Sequence, residues 1–197
     1  MSHIFKESDL KKLYEIERLS MQQIADQLNC SMQTVHYWMK HYGIERRTIS
    51  EAVYSRHNPQ GDPFKQKDIT TLKDAELYGM GIGLYWGEGT KANKYAVRLG
   101  NSDPLLLQVF MKFLTDLFAV NKSALRFGLQ LFSDIDPAEA LQYWTSKLGI
   151  NASQFYKPHI TPSGSLGTYK KKSRYGVVTI YYHNKKLRDI IVGQLPR

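Results

Sequence analysis

The carboxylate of Glu88 stands at the end of an apolar segment in which glycine is unusually frequent. The segment reads Gly-Met-Gly-Ile-Gly-Leu-Tyr-Trp-Gly-Glu-Gly over residues 79–89, and five of its eleven residues are glycine. Leu77, Met80 and Leu84 recur at helical spacing, so we predict a helix with these three side chains in the core. Such a helix delivers the Glu88 carboxylate to an edge of the fold, which is a candidate active-site position.

Three of the glycines fall on one side of this predicted helix. Gly79, Gly83 and Gly87 are spaced four residues apart, so they form one bare stripe along it. Because a glycine inside a helix costs about 1 kcal/mol relative to alanine, the stripe needs a compensating role. We predict an interface at which another backbone comes close. A second interpretation stays open, in which the stripe packs within one chain and Glu88 is a solvated helix end.

Nucleotide-binding loops do not match the glycine-rich segment. Gly89-Thr-Lys91 reverses the Gly-Lys-Thr order of a P-loop, and no Gly-x-Gly-x-x-Gly that starts at Gly79 or Gly81 is completed. We therefore expect no nucleotide cofactor.

The composition is that of an ordinary reduced protein with two domains. At 197 residues and 42% hydrophobic content, the chain can form one good core and a smaller module. Its single cysteine, Cys30, cannot form an intramolecular disulfide, and the chain does not begin with a secretory signal pattern. No apolar run approaches the roughly 20 residues that span a bilayer. We expect an intracellular, cytoplasmic protein that does not bind a membrane.

The net charge of +9 is concentrated towards the C-terminus. Residues 121–197 hold 12 Lys and Arg against 4 Asp and Glu, whereas residues 1–60 hold 8 against 7. A basic surface in a chain with thirteen tyrosines favours a polyanionic partner, and nucleic acid is the commonest one. Because we expect the partner to be nucleic acid, we also expect the protein to be associated with the nucleoid. The alternative is a basic surface with no ligand.

Residues 1–56 are predicted to form a helix-turn-helix domain. Amphipathic helices are expected at about 8–17, 20–29 and 31–43, with a tight turn between the last two. The small Ala25 lets those two helices cross closely, as in a DNA-reading helix pair. The residues expected to contact DNA lie on the third helix: Gln33, Thr34, His36, Tyr37 and Lys40. The alternative is a three-helix interaction module that touches no DNA.

A linker over residues 57–70, with two prolines and a glycine, precedes a second domain over residues 71–197. In that domain we predict, in order, a helix, two strands, a helix, a strand, a helix, two strands and a helix. The order is typical of an α+β fold with a mostly antiparallel sheet.

Basic residues of the second domain fall on predicted strands and on one loop. Segment 124–132 alternates, so Arg126, Gly128 and Gln130 share a polar face suited to a DNA groove. The loop over residues 161–174 carries four positive charges within five residues. The residues expected to bind DNA in this domain are Lys94, Arg98, Arg126, Lys170, Lys171, Lys172 and Arg174.

The glycine-rich segment resembles a family signature. Gly81-Ile-Gly-Leu-Tyr-Trp-Gly-Glu-Gly89 is similar to a divergent LAGLIDADG motif of homing endonucleases, and Asn101-Ser-Asp-Pro before an apolar helix is similar to the segment after the first hairpin in that family. The likeness covers about residues 75–193, of which only the motif is specific. The chain departs from the pattern where Gly81 and Gly87 replace the usual leucine and alanine, and where Trp86 stands at the usual first acidic position.

The resemblance implies both a fold and a chemistry. It implies a saddle of antiparallel strands in the major groove of double-stranded DNA, with two motif helices packed together and each ending in an acidic residue that helps hold Mg²⁺ or Mn²⁺. A chain with one motif would act as a homodimer joined through the glycine stripe. By this resemblance Glu88 matches the acidic metal-binding position, and we expect the metal at Glu88 and Gly87. With Glu88 as the catalytic carboxylate, the candidates for steadying the scissile phosphate are Lys91, Gln130 or a lysine from 170–172. Relatives that have lost cleavage imply the alternative, a DNA-binding transcription regulator.

Overall fold

The computed structural model describes residues 5–163 and 173–196. The chain divides into two compact units, of which the first ends at Asp62 and the second begins at Pro63. The predicted α+β class is confirmed, since helices accompany one four-stranded mixed sheet. No helix within the described ranges has the length and apolar character needed to cross a bilayer.

The first unit is helical and is built around a small apolar core. Leu10, Ile24, Val35 and Met39 are completely buried in it. The helices are α1 Glu7–Lys11, which continues as a π-helical turn Lys12–Ile16, α2 Met21–Gln27, α3 Met32–His41 and α4 Ile49–His57.

Local capping sets the ends of α2 and α3. The Ser20 hydroxyl accepts from the backbone N–H of Gln23, and the Gln23 side chain accepts from the backbone N–H of Ser20, which together form a capping box. Asn29 follows α2 with a φ of 49°, a left-handed conformation that ends the helix. Ser31 then caps α3. The two helices are therefore joined by a tight turn, and Ala25 is fully buried where they pack.

The described residues of the second unit form four α-helices and four strands. They are α5 Leu72–Glu88, β1 Val97–Asn101, α6 Pro104–Phe118, β2 Arg126–Phe132, α7 Pro137–Leu148, β3 His159–Thr161, β4 Val177–Tyr182 and α8 Lys185–Gly193. Three of these helices begin at N-cap residues of the preferred types. Thr71 caps α5, and Asp103 and Asp136 cap α6 and α7, each directly before a proline.

The sheet has the strand order β1-β4-β2-β3. Strand β4 pairs antiparallel with both β1 and β2, while β2 and β3 are parallel. The expectation of a mostly antiparallel sheet thus holds for two pairs and fails at the β3 edge. There α7 carries the chain back to the start of β2, so that β3 runs in the same direction.

The predicted strand pair after α5 is replaced by one strand. Only β1 forms, and the remainder of that pair is an isolated bridge between Gly89 and Leu99. Residues 91–94 form turns and bends instead of a partner strand. Since β1 pairs with β4 on one side, this bridge attaches the end of α5 to its other side.

One face of the sheet is sealed by the helices, and the other is not. Leu99, Phe127 and Ile180 are completely buried and share a core with residues from all four helices. The close approach of α5 to α6 depends on Gly81, because a Cβ built there would lie 2.1 Å from a ring carbon of Phe113. The alternate strand residues face away from this core and are half-buried or exposed.

The second unit begins within the predicted linker. Phe64 is buried in the core of that unit, and the backbone N–H groups of Lys65 and Lys67 donate to the carbonyls of Phe118 and Leu117, each at 2.8 Å. These carbonyls end α6, where no intrahelical donor is left for them. Residues 63–67 are therefore packed structure, and the linker prediction of 57–70 extends too far.

Candidate nucleic-acid interface

The unsealed face of the sheet presents its residues in rows across the strands. Arg98, Tyr181 and Arg126 form one row, because Tyr181 of β4 pairs with Arg98 of β1 and with Arg126 of β2. We call this set the arginine row. The adjacent row holds small residues: Gly100, Thr179 and Gly128. The face therefore has one row of small residues next to a row that carries two positive charges.

The strands that build this face carry no negative charge. Across the described strands β1 to β4, no residue is aspartate or glutamate. Within the described part of the chain, neither Arg98 nor Arg126 forms an ion pair. Arg126 donates instead to the carbonyls of Ser123 and Leu125, at 2.7 and 2.9 Å. Two uncompensated positive charges on one face favour an anionic ligand.

Aromatic rings surround the arginine row. The guanidinium of Arg98 lies 5.0 Å from the ring centroid of Tyr181, within the range of a cation–π contact. The Tyr181 ring leans over Gly128, where a Cβ would lie 3.0 Å from Cε2 and 3.2 Å from the hydroxyl. Tyr156, whose backbone is hydrogen-bonded to β2, has its hydroxyl 2.8 Å from Nε2 of His183.

Tyr156, Tyr181 and His183 were not among the predicted site residues. The ring of Tyr181 is stacked with the His183 imidazole at 6.0 Å and meets the ring of Tyr156 edge-on at 5.7 Å. The sequence offers one signal for them, since residues 179, 181 and 183 alternate with the buried residues of β4. Tyr156 has no such signal, because it lies outside the strands and approaches β2 through its backbone N–H, which donates to the Phe127 carbonyl.

The pKa of His183 is lowered from its usual value of 6.5, first by burial and then by the positive charges of Arg98 and Arg126. Near neutral pH the imidazole is therefore uncharged, and it can share a proton with the Tyr156 hydroxyl. Adding a proton to His183 would place a third positive charge beside the arginine row.

Glu88 is the last residue of α5 and its side chain is exposed. Directly after it, Gly89 bridges Leu99 and the Thr90 N–H donates to the Arg98 carbonyl at 2.9 Å. Gly89 has to be glycine, because a Cβ there would lie 2.4 Å from the Tyr85 carbonyl oxygen. The backbone directly after the candidate carboxylate is thus held beside β1.

The structure brings Lys91 to Glu88 but leaves Gln130 apart. The Lys91 ammonium donates to the Trp86 carbonyl at 2.6 Å, which caps the end of α5. The Lys91 carbonyl accepts from the guanidinium of Arg188 at 2.5 Å. Gln130 lies four residues further along β2 than Arg126, about 13 Å by strand geometry, and β4 separates β2 from β1. The predicted catalytic group is therefore not assembled within one chain.

The metal ligands expected near Glu88 also do not assemble within one chain. Among the described residues, no three His, Cys, Asp or Glu side chains gather in a way that could hold a metal ion. The oxygens available at this point are the Glu88 carboxylate and the carbonyls of the last helical turn, such as that of Gly87, which lack intrahelical donors. The described residues of one chain therefore do not form a three-ligand metal site around Glu88.

The glycine stripe is open surface. At Gly79, Gly83 and Gly87, a Cβ would have no neighbouring atom within 4 Å among the described residues, apart from the helix itself. This contradicts the interpretation in which the stripe packs within the chain. Met80, predicted to lie in the core, is 50% exposed beside the stripe, and Trp86 is 56% exposed. The helical phase explains the error, since the buried residues of α5 are Asp74, Leu77, Gly81 and Tyr85, which include only Leu77 of the three predicted core residues.

The predicted reading face of α3 is mostly accessible. Gln33, His36, Tyr37 and Lys40 are exposed. Thr34 is half-buried, and its hydroxyl lies 2.9 Å from that of Ser31 as part of the helix cap. Four of the five predicted contacts are therefore free to meet a ligand, while Thr34 has a local structural role.

The remaining basic residues are spread over the second unit. Lys94 is exposed in the turn before β1. Arg174 is exposed, lies 3.9 Å from Glu139, and stands over the Tyr175 ring at 5.2 Å. Lys170, Lys171 and Lys172 lie outside the described residues.

The chain matches no protein-family model, no curated protein and no solved structure. The resemblance of residues 81–89 to a LAGLIDADG motif therefore stays a prediction. The geometry of the sheet face and of α5 is the remaining basis for a function.

Proposed function

We propose that the protein binds double-stranded DNA in a sequence-specific manner. The observation that carries this proposal is the unsealed sheet face, whose strands hold Arg98, Arg126 and Gln130 but no acidic residue. Arginine binds phosphate through a planar fork of donors, and glutamine can pair with adenine at its base edge. A face that combines both groups can hold the backbone and distinguish bases.

The exposed side of α3 is proposed as a second DNA-reading surface. It offers an amide at Gln33, rings at His36 and Tyr37, and an ammonium at Lys40. A helix that follows a tight turn and presents its first residues outward suits the major groove. Because the first unit is close to neutral, this surface would contribute selectivity more than affinity.

The working molecule is proposed to be a homodimer joined along the glycine stripe. The stripe is bare, and it is flanked by Met80 and Trp86, which are half exposed. Two copies related by a two-fold axis would set their α5 helices together and bring their Glu88 carboxylates close to one another. Without such a contact, the glycines weaken the helix, and no contact among the described residues compensates for it.

The proposed activity is hydrolysis of DNA phosphodiesters, in line with the resemblance to homing endonucleases. Mg²⁺ or Mn²⁺ would be held by Glu88 and the Gly87 carbonyl from both copies, and would supply an activated water and charge neutralisation. Lys91, fixed beside Glu88, would steady the scissile phosphate. Gln130 lies too far along the sheet for that role and would act in base contact instead.

A DNA-binding regulator without cleavage is the second candidate. Trp86 occupies the position at which the motif usually carries its first acidic residue, and the Lys91 ammonium already donates to the Trp86 carbonyl. Each copy then contributes one carboxylate, and its neighbouring cation is engaged in capping a helix. The same two DNA-reading surfaces would serve this function.

The test selects bound fragments from random duplex DNA and then adds Mg²⁺ or Mn²⁺ to the selected site. The endonuclease proposal expects cutting of a supercoiled plasmid with that site, and loss of cutting with normal binding in Glu88→Gln. The matched control is Glu76→Gln, which changes an exposed glutamate about three turns earlier on the same helix.

Each outcome decides between the candidates. Binding without cutting in the parent protein supports the regulator. Cutting by Glu88→Gln at the parent rate would show that the metal assignment is wrong. If selection enriches no sequence and the parent does not retain duplex DNA, the proposed function fails altogether.

A further inference from the structure

We propose that the arginine row, together with the hydrogen-bonded Tyr156–His183 pair, is a built subsite for one backbone phosphate, and that protonation of His183 strengthens its occupancy. The inference rests on the proposed DNA binding but not on cleavage. It assigns roles to Tyr156, Tyr181 and His183, which the sequence did not single out.

The spacing of the two arginines suits one phosphate. Arg98 and Arg126 lie on β1 and β2, on either side of β4, so their Cα atoms are about 10 Å apart by strand spacing. Two guanidinium groups that reach inward from this separation can grip a tetrahedral anion from opposite sides. The adjacent row has small residues at Gly100 and Thr179, where a nucleic-acid backbone would meet no large side chain of that row, while the Tyr181 ring covers Gly128.

Tyr181 lies between the two arginines and is fixed there. Its ring lies over Gly128, where a Cβ would come within 3.0 Å of Cε2 and 3.2 Å of the hydroxyl, so the glycine leaves space for the ring. The ring offers its face to the Arg98 guanidinium at 5.0 Å. The Nε atom of Arg98 is buried and has no hydrogen-bond partner among the described residues, so protein acceptors do not satisfy this group. The arginine is thus positioned by a ring and left uncommitted to an anion of the protein.

The protonation of His183 responds to a bound anion and strengthens its binding. The groups that face it are Arg98 of β1, Arg126 of β2, Tyr181 of β4 and Tyr156, and none of them is a carboxylate. Both arginines disfavour the imidazolium. A phosphate between them would offset that repulsion and raise the pKa of His183. By linkage, the affinity for phosphate rises as the pH falls through the titration of His183.

The first experiment follows the imidazole signals of the full-length protein by NMR in a pH titration. The probes are dimethyl phosphate and, separately, a 30-base-pair duplex, and His183→Gln identifies the signal. We expect each probe to raise the pKa of His183 in the parent and not in Arg98→Gln. An unchanged pKa with both probes would overturn the subsite.

The second experiment measures affinity for the duplex by fluorescence anisotropy over a salt series at pH 5.5 and 7.5. Arg98→Gln and Arg126→Gln should each lose about tenfold in affinity and reduce the salt slope by about one. The matched control is Lys112→Gln, which removes an exposed charge from α6 on the sealed side of the sheet and should change affinity less than twofold. Tyr181→Leu should weaken binding, and His183→Gln should remove the gain at pH 5.5.

The two proposals fail in different ways. If the parent does not bind duplex DNA but dimethyl phosphate still shifts His183, DNA binding is wrong and the anion subsite stands. If the parent binds duplex DNA while both arginine variants equal Lys112→Gln, the subsite is wrong and DNA binding stands. Thermal unfolding checks each variant, and Arg126→Lys, which keeps the charge, replaces a glutamine variant that does not fold.

Discussion

The two sides of α5 use glycine in opposite ways. On the packed side, a Cβ built at Gly81 would lie within 2.1–2.7 Å of three ring carbons of Phe113, so the missing side chain makes room for α6. On the open side, a Cβ at Gly79 or Gly83 would meet no neighbouring atom within 4 Å in the described chain. A glycine in a helix can thus lie against a packed neighbour or on open surface, and the residues near it in space decide which.

The two sides of α5 also differ in how their glycines affect stability. On the packed side, burial of apolar side chains offsets the helix penalty of Gly81. Leu77 is 8% exposed, and Tyr85 is fully buried against Phe110, with ring centroids 5.9 Å apart. The open side has the backbone penalty of about 1 kcal/mol per glycine, and the part of the chain that the structure describes provides no contact to offset it. The proposed dimer would supply that contact. Changes on the two sides of the helix should therefore have opposite effects.

The largest expected effect is on the packed side. Gly81→Ala should destabilise the second unit by about 3 kcal/mol, because the Phe113 ring has to move within a closely packed core. Urea unfolding followed by Trp144 fluorescence, which reports on a fully buried residue of this core, measures the loss. The matched control is Gly83→Ala. Equal midpoints for the parent and Gly81→Ala would contradict the packing described for this side.

A bulky residue on the open side should act on assembly instead of folding. We expect Gly83→Leu to raise the dimer dissociation constant about 30-fold, equivalent to about 2 kcal/mol, because the backbones can no longer approach. Light scattering over a dilution series gives the constant. Lys112→Leu adds the same side chain to an exposed position of α6 and should leave it unchanged. A parent protein that is monomeric at every concentration would remove the basis of the dimer proposal.

A smaller change on the open side should stabilise the monomer. At concentrations where the protein is monomeric, Gly83→Ala is expected to raise the free energy of unfolding by about 1 kcal/mol, since alanine favours the helix and its Cβ meets nothing in the chain. The measurement is urea unfolding at low protein concentration. A loss of stability there would show that Gly83 makes an intramolecular contact in the monomer.

The smallest expected effect is a pH dependence on the packed side. The Lys67 ammonium at 2.9 Å, together with the Thr71 hydroxyl, holds the pKa of Asp74 below its usual value of 3.8. A lowered folded pKa gives stability that is present above 3.8 and is lost as the pH falls through the folded value. The melting temperature of the parent should therefore exceed that of Asp74→Asn at pH 6, and the difference should shrink towards pH 2.5. A constant difference would contradict the role of Lys67.

Much of the local structure could be predicted because its causes are local. The capping boxes of Ser20 with Gln23 and of Thr48 with Glu51 each join residues three positions apart, and α5 ends at Glu88 as the sequence indicated. Alternation in β2 correctly separated Phe127 from Arg126 and Gln130. Each of these signals lies within a few residues, so no knowledge of the rest of the fold is needed to use it.

The composition of the site could not be predicted in the same way. The hydrogen bond between Tyr156 and His183 joins residues 27 positions apart, and it exists because the segment before β3 lies against β2. The arginine row depends on β4 pairing between β1 and β2, although β4 is the last strand of the chain. Alternation tells which residues of a strand share a face, but it does not tell which strands are neighbours.

The sequence by itself determined where the helices begin and end, which strand residues are buried, and that Glu88 closes a glycine-rich helix. The tertiary structure alone decided which glycines are filled, that Met80 lies outside the core, and that Arg98 and Arg126 stand on either side of Tyr181. The physical reason is the range of the forces involved. Caps and alternation act between neighbours in the chain, whereas packing and charge act between neighbours in space.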